Sequence, residues 1–259
     1  MNRYSFIHLL LVMSLVSLSA CGGGDAAETA DAPAADTPAA DSTPMGSSSV
    51  SGTISFEGTA PAMPRIRMNR ECNELNEDGQ MAQTVVVNDN GTLKNVFIHV
   101  TAGLAEGYSF AVPSEPVVFD QRGCNYTPHV FGVQTGQEIK ILNSDPLMHN
   151  INAQAKVNRP FNRGMPNQGD ELLRSFRVTE VMMSIKCDVH GWMGAYVGVV
   201  DHPFFSVSDG EGGFSINDLP AGTYTIEAWH EEYGSATAQT VTVAEGEAAE
   251  LSFSFGDAS

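Results

Sequence analysis

Apolar and polar residues alternate along most of the chain after about residue 50. The clearest runs are 50–56, 96–100, 137–141 and 223–229. A period of two predicts β-strands with one buried face. Turn signals such as Asp89-Asn90-Gly91 separate the runs, and residues 170–174 are the one candidate for a helical turn. The pattern predicts an all-β chain in which many short antiparallel strands form sandwiches or barrels.

Two predicted strand ends carry the candidate chemistry. Met183, Ile185 and Cys187 fall on one face of a strand, and residues 195–200 form the next strand, so 187–193 is the loop between neighbours. Residues 137–142 form another strand, and the turn 143–146 presents His149. Ligands from two loops at one end of a sandwich can converge on one ion, with fixed strands beneath them.

The residues brought together in this way are one thiol, two imidazoles and one thioether. Cys187, His190 and Met193 follow one another at intervals of three, and His149-Asn150 lies upstream. A plane of Cys and two His with a weak axial Met is the ligand set of a type 1 copper centre. The alternative is a zinc site in which Asp145 or Asp188 completes four ligands, although zinc seldom recruits Met.

The start of the chain has the features of an export signal. Residues 1–20 contain Arg3 and a short apolar run, which predicts a cleaved signal peptide. The sequence Leu18-Ser19-Ala20-Cys21 resembles the bacterial lipobox, which implies diacylation of Cys21. Gly22, rather than Asp, then favours the outer membrane. Residues 21–49 are rich in Ala, Asp, Pro and Gly and are predicted to be a flexible, acidic tether.

Acidic residues dominate the remainder. The chain has 13 Lys and Arg against 31 Asp and Glu, and loss of Arg3 with the signal leaves 12 against 31, a formal charge of −19. Such a surface repels nucleic acid and attracts a basic partner such as a cytochrome c. Solubility, or adaptation to salt, accounts for the charge equally well.

The four cysteines have separable roles. Cys21 is assigned to lipid and Cys187 to metal, which leaves Cys72 and Cys124. In an exported protein two such cysteines are expected to form a disulfide. The alternative is a second metal site that uses Cys124 and nearby His129.

The stretches from Gly136 to Asn150 and from Cys187 to Met193 resemble the cupredoxin family, and the loop spacing is similar to that of amicyanin. This resemblance covers residues 85–201. It implies a Greek-key sandwich in which His149, Cys187, His190 and Met193 bind one type 1 copper ion and Asn150 holds the Cys187 loop by hydrogen bonds. Electrons are expected to leave through the imidazole edge of His190, which is expected to lie nearest to solvent on the loop. Gly191 stands where amicyanin-like loops often have Pro.

Residues 207–216 and 219–224 resemble the second half of a carboxypeptidase regulatory-like (CnaB-type) sandwich. The simpler arrangement is tandem, with a copper domain at 50–201 (core 85–201) and a regulatory-like domain at 202–259. In the alternative arrangement, residues 50–84 complete the regulatory-like domain and the copper domain is inserted into it. Members of this family are usually adhesive or structural, so no chemistry is assigned to this part.

Together these features predict an electron carrier anchored by lipid on the periplasmic side of a bacterial cell envelope. It would exchange electrons with redox proteins and use no small-molecule substrate. A copper delivery or buffer protein is the rival class. No hydrolase or phosphate-binding motif appears, and Cys187 acting as a nucleophile beside His190 would leave His149, Asn150 and Met193 unexplained. The protein is therefore not expected to be an enzyme.

Overall fold

The computed structural model describes residues 45–256. The predicted signal peptide, Cys21 and residues 21–44 of the predicted tether lie outside the described residues. The tether prediction ended at residue 49, whereas the first strand begins at Ser48. Among the described residues, no helix is long and apolar enough to cross a membrane.

Strands make up nearly all of the regular structure between residues 45 and 256, with one short helix, α1 (Arg70–Glu74). The strands are β1 (Ser48–Glu57), β2 (Phe97–Ala102), β3 (Val117–Gln121), β4 (Tyr126–Thr127), β5 (Val130–Gln134), β6 (Ile139–Asn143), β7 (His149–Ala153), β8 (Phe161–Met165), β9 (Glu171–Arg174), β10 (Glu180–Lys186), β11 (Gly194–Val200), β12 (Phe205–Val207), β13 (Gly213–Leu219), β14 (Gly222–His230), β15 (Gly234–Ser235), β16 (Gln239–Val243), β17 (Ala248–Glu250) and β18 (Phe253–Gly256). The all-β prediction is confirmed. The helical turn suggested for 170–174 is wrong, because β9 pairs with β6 there.

The first sandwich, called the ligand sandwich below, contains β3 to β11. One sheet has the order β5-β11-β10-β7-β8, and the other has the order β4-β3-β6-β9. Their inner faces enclose an apolar core that includes Phe119, Ile141, Ile151, Ile185 and Val197. These side chains recur at alternate positions because successive residues of a strand point to opposite faces.

The second sandwich combines strands from both ends of the described chain. One sheet has the order β13-β1-β17, with β18 also paired to β1; the other has the order β12-β2-β14-β15, with β16 paired to β14. Its core includes Val50, Ile54, Ile98, Phe204 and Ile226. The chain therefore leaves this sandwich after β2, forms the ligand sandwich, and returns at β12.

This arrangement differs from the tandem order preferred from the sequence. Residues 96–100 were assigned to the copper domain, but β2 pairs with β12 and β14. The predicted core of 85–201 is thus too long at its N-terminal side, and the first strand of the ligand sandwich begins at Val117. Alternation identified β2 correctly as a strand, but it carries no information about which strands pair with it.

The Phe97 ring is one of the contacts between the two sandwiches. Phe97 of β2 is fully buried and packs with Val130 and Val200 of the ligand sandwich. A Cβ atom placed on Gly198 would lie 2.4 Å from Phe97 Cζ, and one placed on Gly132 would lie 2.4 Å from Phe205 Cδ2 and 2.8 Å from Phe97 Cε2. The two glycines therefore leave the space that the ring occupies.

We expect Gly198→Ala to lower the free energy of unfolding by about 1–3 kcal/mol, because the added methyl group overlaps a ring with no room to retreat. Chemical denaturation would measure this. Gly210→Ala is the matched control, since nothing lies within 4 Å of its Cβ position. Equal effects of the two substitutions would contradict this role of Phe97.

Candidate metal centre

Neighbouring strands bring the predicted ligands to one end of the ligand sandwich. His149 is the first residue of β7, and Cys187 directly follows β10. These strands pair antiparallel, with Lys186 opposite Asn152, so the start of one lies beside the end of the other. The loop from Cys187 closes on itself, because Met193 N donates to His190 O at 2.9 Å and Cys187 N donates to Met193 O at 3.2 Å. A short loop with its ends bonded together holds its side chains in a fixed arrangement.

Three of the four predicted ligands converge. His149 Nδ1 lies 2.9 Å from His190 Nδ1, and ligand atoms of His149, Cys187 and His190 all lie within 4.8 Å of one another. Their side chains are almost completely buried, with 0% of His149 and 3% each of Cys187 and His190 exposed. Met193 is buried in the same apolar core as Cys187. This donor set fits copper, since imidazole suits both of its common oxidation states and sulfur favours Cu(I).

Hydrogen bonds act on the Cys187 sulfur from two sides. His190 N donates to Cys187 Sγ at 3.4 Å, and the thiol contacts Asn150 Oδ1 at 3.3 Å. Burial alone would raise the pKa of this thiol, but its hydrogen bonds with His149, Asn150 and His190 lower it. The surroundings therefore favour the thiolate, which is the form that binds metal.

Asn150 has the position predicted for it, beside the ligand loop. Its Oδ1 accepts from Asp188 N at 2.7 Å, and its Nδ2 donates to Asp188 Oδ2 at 3.1 Å. Asn152 and Asn162 also donate to the Asp188 carboxylate, at 2.9 and 2.5 Å. No sequence pattern singles out these two asparagines, because their strands β7 and β8 pair only in the folded chain. The Asp188 carboxylate is thus bound by amides rather than turned toward the three converging ligand atoms.

Asp145 has a role that was not predicted. Its Oδ2 lies 2.9 Å from His149 Nε2, on the other side of the ring from Nδ1. Its carboxylate also accepts from Gly123 N and Cys124 N, both at 2.7 Å. A carboxylate on the outer nitrogen of a metal-binding histidine orients the ring and increases its basicity. In this geometry neither Asp145 nor Asp188 is placed as the fourth ligand of a zinc site.

The charges of these groups are coupled. Burial disfavours the imidazolium form of His149, but its hydrogen bonds with Asp145 and Cys187 raise its pKa to about 9. Burial and the nearby His149 lower the pKa of His190. These opposite shifts favour a proton on His149 rather than on His190, with the Asp145 carboxylate beside the His149 Nε2 atom.

His190 is covered rather than exposed, which corrects the expectation that its edge lies nearest to solvent. Trp192 packs against it with ring centroids 5.2 Å apart, and Trp192 Nε1 donates to Cys124 O at 3.0 Å. Both sulfur atoms of the Cys72–Cys124 disulfide lie within 4.8 Å of a ring nitrogen of His190. The indole and the disulfide together separate the imidazole from water.

The disulfide prediction is confirmed: Cys72 and Cys124 are bonded to each other. The alternative metal site of Cys124 and His129 is not formed. Instead His129 Nδ1 lies 3.0 Å from Gly194 O, and its Nε2 lies 2.5 Å from Glu231 Oε1. His129 therefore connects the residue after Met193 to the second sandwich.

Comparison with known proteins gives one family match and several structural matches. A model of the carboxypeptidase regulatory-like domain matches residues 193–256. No curated protein matches the chain in sequence. Amicyanin from Paracoccus versutus is 20% identical, with a TM-score of 0.30 over 39% of this chain and 96% of its own. The purple cupredoxin from Nitrosopumilus maritimus is 20% identical, with a TM-score of 0.28 over 32% of this chain and 98% of its own.

A copper-containing nitrite reductase from Thermus scotoductus is 19% identical, with a TM-score of 0.30 over 39% of this chain. The matched part is 26% of the reductase, so the chain spans about a quarter of that protein. The regulatory-like match starts within the ligand loop and covers β11 to β18. The strand pairing adds β1 and β2 to this second sandwich and leaves β11 in the first.

We expect Asp145→Asn to destabilise the metal-free protein by on the order of 1–3 kcal/mol at pH 6, because the amide cannot accept from all three donors. The folded-state pKa of His149 is raised, so the stability that its pair with Asp145 provides is complete below pH about 6.5 and is lost as pH rises through about 9. Denaturation of both proteins at pH 6 and pH 9.5 would check this. A stability difference that stays constant or grows with pH would contradict it.

Proposed function

We propose that the protein is a cupredoxin-type electron carrier that uses one copper ion. The convergence of His149 Nδ1, His190 Nδ1 and Cys187 Sγ in a buried site is the observation that supports this most. Met193, buried beside them, is the proposed axial ligand. A bound copper ion would supply a one-electron couple between Cu(I) and Cu(II).

The protein's part is to keep this site rigid and closed. His149 and Cys187 are joined directly to paired strands, and Asp145 and Asn150 fix the His149 ring and the Cys187 loop by hydrogen bonds. Ligands held in this way move little when the charge of the metal changes. All four proposed ligands are at least 97% buried, so no substrate can reach an open coordination position. Transfer of electrons fits such a site better than bond chemistry does.

Trp192 is the proposed outlet for electrons. Its ring contacts His190, while Val189 in the same loop and Met148 beside His149 are 48% and 50% exposed. Apolar side chains around the outlet suit brief contacts with a redox protein. Acidic residues elsewhere on the chain suit a basic partner such as a cytochrome c, and the lipidated Cys21 would keep the carrier at the periplasmic face of the bacterial envelope.

Copper delivery is the rival function. A delivery protein must release its ion to another protein, whereas here the indole and the disulfide close the site over His190. This burial favours retention of the metal through redox cycles. Resistance of the bound ion to mild chelators would distinguish the two functions.

We expect the purified full-length protein, loaded with Cu(II), to have an intense visible band from charge transfer between the Cys187 thiolate and copper. The band should bleach with ascorbate, return on oxidation, and be absent from Cys187→Ser and much weakened in His190→Gln. His202→Gln is the matched control, because His202 bonds to Val100 O in the second sandwich and should leave the band intact. A colourless protein that still binds metal would refute the electron-carrier function.

A further inference from the structure

The disulfide lies directly against one of the proposed ligands, His190. Cys72 and Cys124 are both 0% exposed. Ligand atoms of Cys72, Cys124 and His190 lie within 4.8 Å of one another, as do those of His149, Cys187 and His190. His190 therefore belongs to two adjacent groups of one imidazole and soft sulfur atoms. Only the second group is used by the proposed electron carrier.

The segment that carries Cys72 is held to the ligand sandwich by few contacts. Between β1 and β2 the regular elements are limited to α1, whose N-cap Asn69 accepts from Cys72 N at 2.9 Å. Outside the disulfide, two side-chain amides bind the segment to Gly123 O: Asn76 Nδ2 at 2.6 Å and Gln80 Nε2 at 2.7 Å. Met68 also packs against the core of the ligand sandwich. A segment held mainly by a disulfide, a few hydrogen bonds and one packed side chain can move once the disulfide is opened.

Reduction of the Cys72–Cys124 disulfide would change the donor atoms beside His190. A dithiol gives two electrons and two protons to the disulfide; the S–S bond breaks, two thiols form, and the dithiol becomes a disulfide itself. The thiols of Cys72 and Cys124 would then lie next to His190. Two thiolates and one imidazole form a soft donor set that prefers Cu(I), and binding of the ion would release the two thiol protons.

We propose that the Cys72–Cys124 pair, when a dithiol reduces it, forms with His190 a second binding site for Cu(I). The oxidised pair covers His190, and the reduced pair holds an ion of its own. This proposal does not rest on the proposed function, because it needs no contribution from Cys187.

The test uses the full-length Cys187→Ser variant, in which the first site is disabled and the pair is intact. The protein is treated with a dithiol, desalted without oxygen, assayed for a gain of two free thiols over the untreated protein, and titrated with Cu(I) against a chromophoric chelator. We expect one bound Cu(I) after reduction and none before it. The triple variant with Cys72→Ser and Cys124→Ser should bind none in either state. A reduced variant with two free thiols that binds no Cu(I), or a pair that no dithiol reduces in the folded protein, overturns the proposal.

A second variant distinguishes a Cu(I) site that includes His190 from two thiols that bind Cu(I) without it. Adding His190→Gln to Cys187→Ser removes the imidazole and leaves both thiols, and we expect the Cu(I) affinity of the reduced protein to fall about tenfold or more. An unchanged affinity overturns the role of His190. Failure of this titration is distinguishable from failure of the proposed function, which is judged by the visible band of the protein with Cys187 present.

Discussion

The Asp145 side chain is 4% exposed, and a charge removed from water to this extent is tolerated only where donors surround it. Here the donors are Gly123 N, Cys124 N and the His149 ring. The Asp145 carboxylate holds three parts of the chain in a single relative position: the loop that carries Cys124, the turn after β6 and the first residue of β7. The distance between the disulfide and the proposed ligands follows from it, as does the orientation of His149.

The local part of the site could be predicted from the sequence, and the surrounding part could not. Cys187, His190 and Met193 lie within seven residues, so their spacing alone implied one loop, and the alternating pattern placed that loop between strands. The cover over His190 depends on Cys72, which is distant in the chain, and on the direction of the Trp192 ring. Neither follows from spacing. Asp145 was considered as a metal ligand because a carboxylate near histidines can be one, and its contact with the outer nitrogen of His149 depends on the conformation of the turn.

For the fold, the positions of several strands could be predicted from the sequence, but the pairing between strands could not. Alternation of apolar residues located β1, β2, β6 and β14, because each buries at least one face. It did not reveal that β2 belongs with strands at the end of the chain, and it left open whether β1 does, since a buried face is equally apolar whichever sandwich encloses it. β9 was mistaken for a helical turn because it is short and largely exposed, so it has little apolar pattern.

The interruption of the second sandwich also determines the order in which its parts become available during synthesis. β2 pairs with β12, and His99 lies opposite Phe205 in this pair. The ribosome must therefore synthesise more than a hundred further residues before β2 can pair with β12. At about 5–20 residues per second this takes on the order of 5–20 s. Throughout that interval the apolar strands β1 and β2 have open edges and no partner sheet, a state in which strands aggregate. Until its last third has been made, a nascent chain of this design exposes strand edges that other chains can pair with.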